Sequence, residues 1–415
     1  MKVELGYGRK TVTVEIPDAH LGSLMQARSM EQGATEQQII RNSLSNPIAS
    51  PPLAEIVKPG ESVVIVTSDV TRPMPSYKVL PELLNELAKN GIADDDITIV
   101  FGLGNHRPQT SEEMQKLVGE DIYRRIRCVD SNQDDILCLG RTSSGTPVDI
   151  FRPVVEADRR ICLGNIDYHY FAGYSGGYKA IMPGVSTESA IQMNHRHMVK
   201  ELASTGNLKE NPVRDDMEEV ARLITVDFLL NVVLDEHKQV AGSFAGDPIE
   251  AHRRGCEMLD KFYKCTIRQK ADVVIVSAGG FPKDINLYQA QKALDNAKYA
   301  GKDGGEIILV AACSEGLGES TFERWMVDSS SPEWMIEEIQ RNFVLGGHKA
   351  AAIGLVMRKA GIKLVSDMDA DFVKSLFMEP YNDLQAALDD ALQRQGTAAL
   401  VHVMPNGGST LPTLE

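Results

Sequence analysis

Ser62-Val63-Val64-Ile65-Val66-Thr67-Ser68-Asp69-Val70-Thr71-Arg72-Pro73 decides the fold of this chain. Its first half is a short β-branched apolar run, the pattern of a strand buried on both faces of a parallel sheet. Its second half is a polar loop. From Val79 to Asn90, Leu80, Leu83, Leu84 and Leu87 share one face of an amphipathic helix, and Gly91 ends it. The unit then repeats. Ile97 to Gly102 reads as a strand, Leu103-Gly104-Asn105-His106-Arg107-Pro108 as its loop, and Glu112 to Val118 as a helix. Strand, polar loop and helix in succession are the grammar of an open α/β sheet. Ligands of such sheets bind beyond the carboxyl ends of the strands. The loops at Asp69 and His106 are therefore candidate pocket walls.

Outward from this stretch, Val3 to Ile16 alternates like a β-hairpin and Glu36 to Asn46 reads as a helix. Arg160 to Asn165 supplies a third strand end, Asp227 to Leu234 another strand, and Pro248 to about Cys265 a helix. A new α/β unit opens at Ala271. Its predicted strands are Asp272 to Ser277, Gly305 to Ala312, Ile362 to Ser366 and Ala398 to Met404, with helices over Asn286 to Tyr299, Pro332 to Phe343 and Asp383 to Gln395. The expectation is an α/β protein of two doubly wound domains with the active site in the cleft between them. Residues 1–268 would form the N-terminal, cofactor-binding domain, and residues 271–405 would close over it. A hinge is expected near Ile267 to Ala271, and the tail at 406–415 is expected to return to the first domain.

A length of 415 residues suffices for two cores. A net charge of −15 argues against a nucleic-acid surface but leaves room for a small basic pocket. None of the six cysteines forms a C-x-x-C pair, which suits reduced thiols. No apolar run approaches the ~20 residues of a membrane span, and the first residues lack a signal-like apolar stretch. A cytoplasmic protein with no membrane partner is expected.

Four motifs carry chemistry. Asp69, Thr71 and Arg72 end a strand. The plain reading is an Asx-type turn, and the same residues suit an anion and a hydroxyl, since the Arg fork matches carboxylate or phosphate. His106 stands on the second strand-end loop and His169 between Tyr168 and Tyr170. Two imidazoles on separate loops could serve opposite faces of one substrate as acid and base. Gly173-Tyr174-Ser175-Gly176-Gly177-Tyr178-Lys179 is not a P-loop, but its glycines would let backbone approach a ligand. Lys179 could contact phosphate, form a Schiff base, act as another covalent anchor, or be a solvated turn residue. His195 and His197 would face different sides of a helix, so they do not suit one metal together. One of them could be a lone ligand to a metal otherwise held by a cofactor, but from the pattern alone both read as surface residues. Gly279 to Lys292 opens the second unit's first helix, with Gln289 and Lys292 on one face.

Taken together and in this order, these motifs resemble the nickel-dependent lactate racemase family over nearly the whole chain. The resemblance implies a 2-hydroxy acid racemase or epimerase that works by reversible hydride transfer. It implies a nickel-pincer nucleotide, a pyridinium mononucleotide joined to Lys179, with His195 as nickel ligand and His106 and His169 as the acid/base pair. Asp69, Thr71 and Tyr288 would lie about the cofactor, and Arg72, Gln289 and Lys292 about the substrate. The glycines before Lys179 would then make room for a flat cofactor. Partners would be a small 2-hydroxy acid and cofactor-synthesis proteins. Tyr178 departs from the small or basic residue usual before the lysine, which bears on substrate choice. The rival readings are a non-catalytic 2-hydroxy acid sensor and a metal- or nucleotide-dependent transferase.

Overall fold

The computed structural model describes residues 1–28 and 33–415. They fall into two compact units, Met1–Arg28 with Phe262–Glu415, and Ser29–Lys261. Among the described residues, each unit is built on one six-stranded sheet.

In the unit Ser29–Lys261 the sheet runs Val240–Gly246, Phe228–Leu234, Arg159–Ile166, Val63–Ser68, Ile97–Gly102, Arg127–Asp130. The first strand is antiparallel to its neighbour and the rest are parallel. The chain starts at Val63–Ser68 and builds outward to one edge. It then comes back to lay Arg159–Ile166 on the other side, which puts the point of reversal between those two strands. The expected leucine face is where the sequence put it. Leu80, Leu83 and Leu87 of helix Ser76–Lys89 are fully buried in one core with Ile65, Ile99, Phe101 and Leu163. Each such side chain contributes roughly 1.5–3 kcal/mol by leaving water.

In the other unit the sheet runs Glu379–Tyr381, Gly361–Val365, Gly301–Val310, Ala271–Ser277, Val401–Met404, Leu21–Leu24, all parallel. The chain builds from Ala271–Ser277 to one edge and then returns on the other side. Both sheets are thus doubly wound.

The division of the chain differs from the expected one. Residues 1–28 belong with the C-terminal unit. The hairpin Lys2–Tyr7 and Lys10–Glu15 has one apolar face, Val3, Leu5, Tyr7 and Val14. That face is buried with Val273, Ile275, Ile308 and Val401 of the sheet and Leu388 of helix Leu384–Gln395. Strand Leu21–Leu24 extends the same sheet. The tail stays there as well, since Leu411–Leu414 pairs in parallel with Lys264–Ile267. The stretch expected as a hinge, Ile267 to Ala271, therefore lies inside this unit. Helix Glu250–Tyr263 ends two residues short of the expected Cys265 because Lys264 begins that strand. Among the described residues no helix is long and apolar enough to cross a membrane.

Candidate active site

The register of two parallel strands creates the first half of the site. Thr67 pairs with Phe101 and Ser68 with Gly102, so the two strands end level and their loops leave side by side. Asp69 is buried at the head of the first loop. One of its carboxylate oxygens, Oδ1, accepts from the Thr71 amide at 3.1 Å and the Thr71 hydroxyl at 2.7 Å, which is the Asx turn expected of this sequence. The other, Oδ2, accepts from His106 Nδ1 at 2.5 Å. Burial pushes the Asp69 carboxyl up, but the bonds from His106 and Thr71 and the nearby Arg72 charge outweigh it and hold it below its ordinary range. A carboxylate at Nδ1 fixes the His106 tautomer with the proton on Nδ1 and the lone pair on Nε2. Asp69 and Thr71 thus both contact His106 in this structure.

The second half grows from strand Arg159–Ile166, on the other side of the point of reversal. Tyr168–His169 and Gly173–Tyr174 pair as a small antiparallel ladder. His169 Nδ1 accepts from the Ala172 amide at 3.2 Å, which places its proton on Nε2. Its ring lies stacked beside Tyr170 and edge-on to Phe171. Phe171 and Tyr174 are core residues, as expected. Burial, then the charges of Lys179, His195, Arg72 and Arg214, hold the His169 imidazole well below its ordinary value. Burial, then Arg214 and Arg72, do the same to the Lys179 amine. Arg72 and Arg214 thus bring positive charge to both His169 and Lys179, inside a chain whose net charge is −15.

Two glycines of this stretch are pressed closely by other parts of the protein. A Cβ on Gly173 would sit 2.2 Å from the Asn207 carbonyl oxygen, and on Gly176 2.5 Å from Asn231 Oδ1. Both have positive φ. They are glycines because other parts of the protein press against the loop. Tyr178 is buried, and burial pushes its hydroxyl up to about 12; it is a core residue of this unit.

His195 corrects the surface reading. It ends helix Glu188–His195 with its ring buried and edge-on to Phe171. Neighbouring Asn194 is wholly buried, and its Nδ2 donates to the Val213 carbonyl at 3.0 Å and to Asp216 Oδ2 at 2.8 Å. That settles the amide's orientation and leaves Oδ1 facing His195 Nδ1 at 3.0 Å. The imidazole must carry its proton on Nδ1, so its lone pair is on Nε2, the form that a metal takes. Asn194 and Asp216 escaped the sequence reading. An Asn directly before a His was the available signal, but the Asp partner lies over twenty positions away.

Tyr288, Gln289 and Lys292 lie in the other unit. Asn286 caps helix Leu287–Ala297 by accepting from the Gln289 amide at 3.0 Å. Gln289 is exposed and Lys292 half-buried on its first turns. Lys349 donates to the Tyr288 carbonyl at 2.6 Å and lies over its ring.

Two levelled strand ends, an aspartate-held imidazole, and the neighbouring His169, Lys179 and His195 make up the candidate site of this doubly wound α/β chain. The chain belongs to the lactate racemase family. Models of the lactate racemase N-terminal and C-terminal domains match residues 7–206 and 266–411. The chain is 33% identical to the lactate racemase of Thermoanaerobacterium thermosaccharolyticum over 99% of its length and 98% of the relative's. It is 34% identical to that of Lactiplantibacillus plantarum, covering 98% of each. The structure of the T. thermosaccharolyticum lactate racemase apoprotein matches over the whole of both chains with a TM-score of 0.89 at 32% identity. A Thermotoga maritima protein shares the fold, with a TM-score of 0.62 at 18% identity, over 93% of this chain. The protein is an isomerase, a racemase. This sets aside the sensor and transferase readings.

Proposed function

We propose that this racemase interconverts the enantiomers of a small 2-hydroxy acid, with His106 and His169 as its acid/base pair and a nickel-pincer nucleotide joined to Lys179. The observation that carries this reading is the pair of tautomers: His106 presents a lone pair on Nε2, and His169 presents a proton there.

The residues suit the group. Burial and the charges of Arg214 and Arg72 disfavour the ammonium form of Lys179, as suits an acyl attachment point. His195 would offer nickel an Nε2 lone pair held in orientation by Asn194. Among the described residues no three His, Cys, Asp or Glu side chains are grouped to hold a metal. The remaining donors would come with the nucleotide, whose sulfurs would supply soft ligands to the metal. When bound, the group would supply a reversible acceptor for the Cα hydrogen and its electron pair.

The rest is work for the chain's own side chains. Arg72 would hold the substrate carboxylate, with Gln289 and Lys292 also assigned to substrate and Tyr288 to cofactor on the family pattern. His106 Nε2 would take the hydroxyl proton, and the Asp69 carboxylate would stabilise the imidazolium that forms. His169 would act at the oxygen when the opposite face of the planar 2-keto acid is reduced. It must then carry a proton that it resists in the empty protein. The anionic substrate and nucleotide phosphate would offset Arg72 and Arg214. For the other enantiomer the roles would exchange, which requires the Ala172 amide to release His169 Nδ1 so that this nitrogen holds the proton and Nε2 the lone pair.

Racemisation of one enantiomer in D2O tests the route. The reading expects product with protium retained at Cα, because the hydrogen never enters solvent. Deuterium wash-in at Cα would replace the hydride route with simple proton abstraction.

A further inference from the structure

We infer that Arg214 is the positioning residue that readies Lys179 for attachment: its buried guanidinium clamps the loop between His169 and Lys179 and brings a positive charge to the amine's neighbourhood. The inference rests on the reading of Lys179 as the attachment point.

Arg214 is fully buried on helix Pro212–Glu219. Its Nε donates to the Ala172 carbonyl at 3.2 Å, Nη1 to Gly176 at 3.3 Å, and Nη2 to Tyr174. All three acceptors are neutral backbone groups of one short loop. Other donors take the loop's remaining carbonyls. Asn211 donates to Phe171 at 2.9 Å, the Gly206 amide to Gly173 at 2.9 Å, and His252 Nε2 to Ser175 at 2.8 Å. Asn231 Oδ1 accepts from the Gly177 amide at 2.9 Å. Each carbonyl from Phe171 to Gly176 is thus held, and Lys179 follows three residues on.

A guanidinium has no neutral form to retreat to, so its charge persists where it is buried. The carboxylate of Glu218 lies 3.8 Å from Arg214 but makes a two-point contact with Arg253, at 2.9 and 2.6 Å. Glu218 is thus shared between the two guanidiniums, with its close contacts on Arg253. The other charged or titratable groups facing Lys179 are Arg72 and the imidazoles of His169 and His252. Burial and the two guanidiniums all act against an ammonium at this position.

The test uses the full-length apoprotein pulsed with acetic anhydride across a pH series, with acetylation at each lysine read by peptide mass spectrometry. The unprotonated amine attacks the anhydride carbonyl. A nitrogen–carbon bond forms, acetate leaves, and the amine proton passes to buffer. The midpoint of each profile reports protonation, independently of the maximal rate. The Lys179 midpoint is expected below those of exposed Lys58 and Lys238. Arg214→Met is expected to move it toward theirs, and Arg214→Lys, which keeps the charge, to leave it closer to wild type. A wild-type Lys179 that titrates with Lys58 and Lys238 overturns the inference without any variant. So does a folded R214M protein with an unmoved midpoint, or an R214K midpoint raised fully to the exposed value. Failure of the attachment reading shows separately, as a cofactor-loaded protein whose Lys179 peptide has no added mass.

Discussion

Asp69 Oδ2 lies 2.5 Å from Nδ1 of His106, and the two residues leave adjacent parallel strands whose last paired residues are Ser68 and Gly102. The contact follows from sheet register rather than from nearness in sequence. It decides which nitrogen of the imidazole can accept a proton.

Asp69→Asn is expected to keep the fold and lose the base. An amide would donate to Nδ1, move the imidazole proton to Nε2, and remove the lone pair that the mechanism uses. Turnover of cofactor-loaded enzyme should fall by roughly 10²–10⁴-fold, the usual worth of a general base. Chiral chromatography beside a melting curve checks this. Unchanged turnover in the folded variant would remove His106 from the proposed role.

Stability is expected to fall as pH drops from about 7 toward 5. Burial and neighbouring cations hold the His169 and His252 imidazoles well below their ordinary value, and burial lowers His402. In the unfolded chain these groups take protons near pH 6.5. Below that value the unfolded state binds protons that the native state refuses, so the unfolding free energy rises with pH across this window. Thermal melts of the apoprotein between pH 7.5 and 5 read the slope. His252→Gln, whose amide can still donate to the Ser175 carbonyl, should flatten it. A melting temperature flat across the window would contradict the assignment.

Leu5→Ala is expected to destabilise the C-terminal unit, although it lies at the chain's beginning. Leu5 is 1% exposed and shares a core with Val273, Ile275 and Ile308. Truncating a buried leucine costs about 2–5 kcal/mol. Hydrogen exchange should quicken in strands Ala271–Ser277 and Gly301–Val310 more than in Val63–Ser68. The reverse pattern would return the hairpin to the N-terminal unit.

Much of this was legible in the sequence, for physical reasons. Val63 to Thr67 and Asp272 to Ser277 read as strands because apolar β-branched runs between polar loops have few other uses. Their strand-end loops then pointed to the site. The hairpin's home was not legible. Its alternation shows one apolar face but not which sheet, over 260 residues away, that face covers. Helix Gly347–Met357 was missed because it is buried nearly all round, so it lacks the one-sided periodicity that announces a surface helix. The clamp on the loop before Lys179 was invisible for another reason. Its acceptors are backbone carbonyls, which every residue carries, and its donors Asn211, Arg214, Asn231 and His252 become a set only in space. For the same reason Gly173 and Gly176 suggested ligand space, where the fold puts Asn207 and Asn231.

The most direct test of the central claim is to load the protein with nickel-pincer nucleotide and supply single enantiomers from a panel of 2-hydroxy acids, following the products by chiral chromatography. The account predicts that at least one acid reaches the racemic mixture from either side, and that His106→Ala and His169→Ala each abolish this while Lys179 still acquires the added mass. Full racemase activity in protein free of nickel and of any adduct on Lys179 would contradict it.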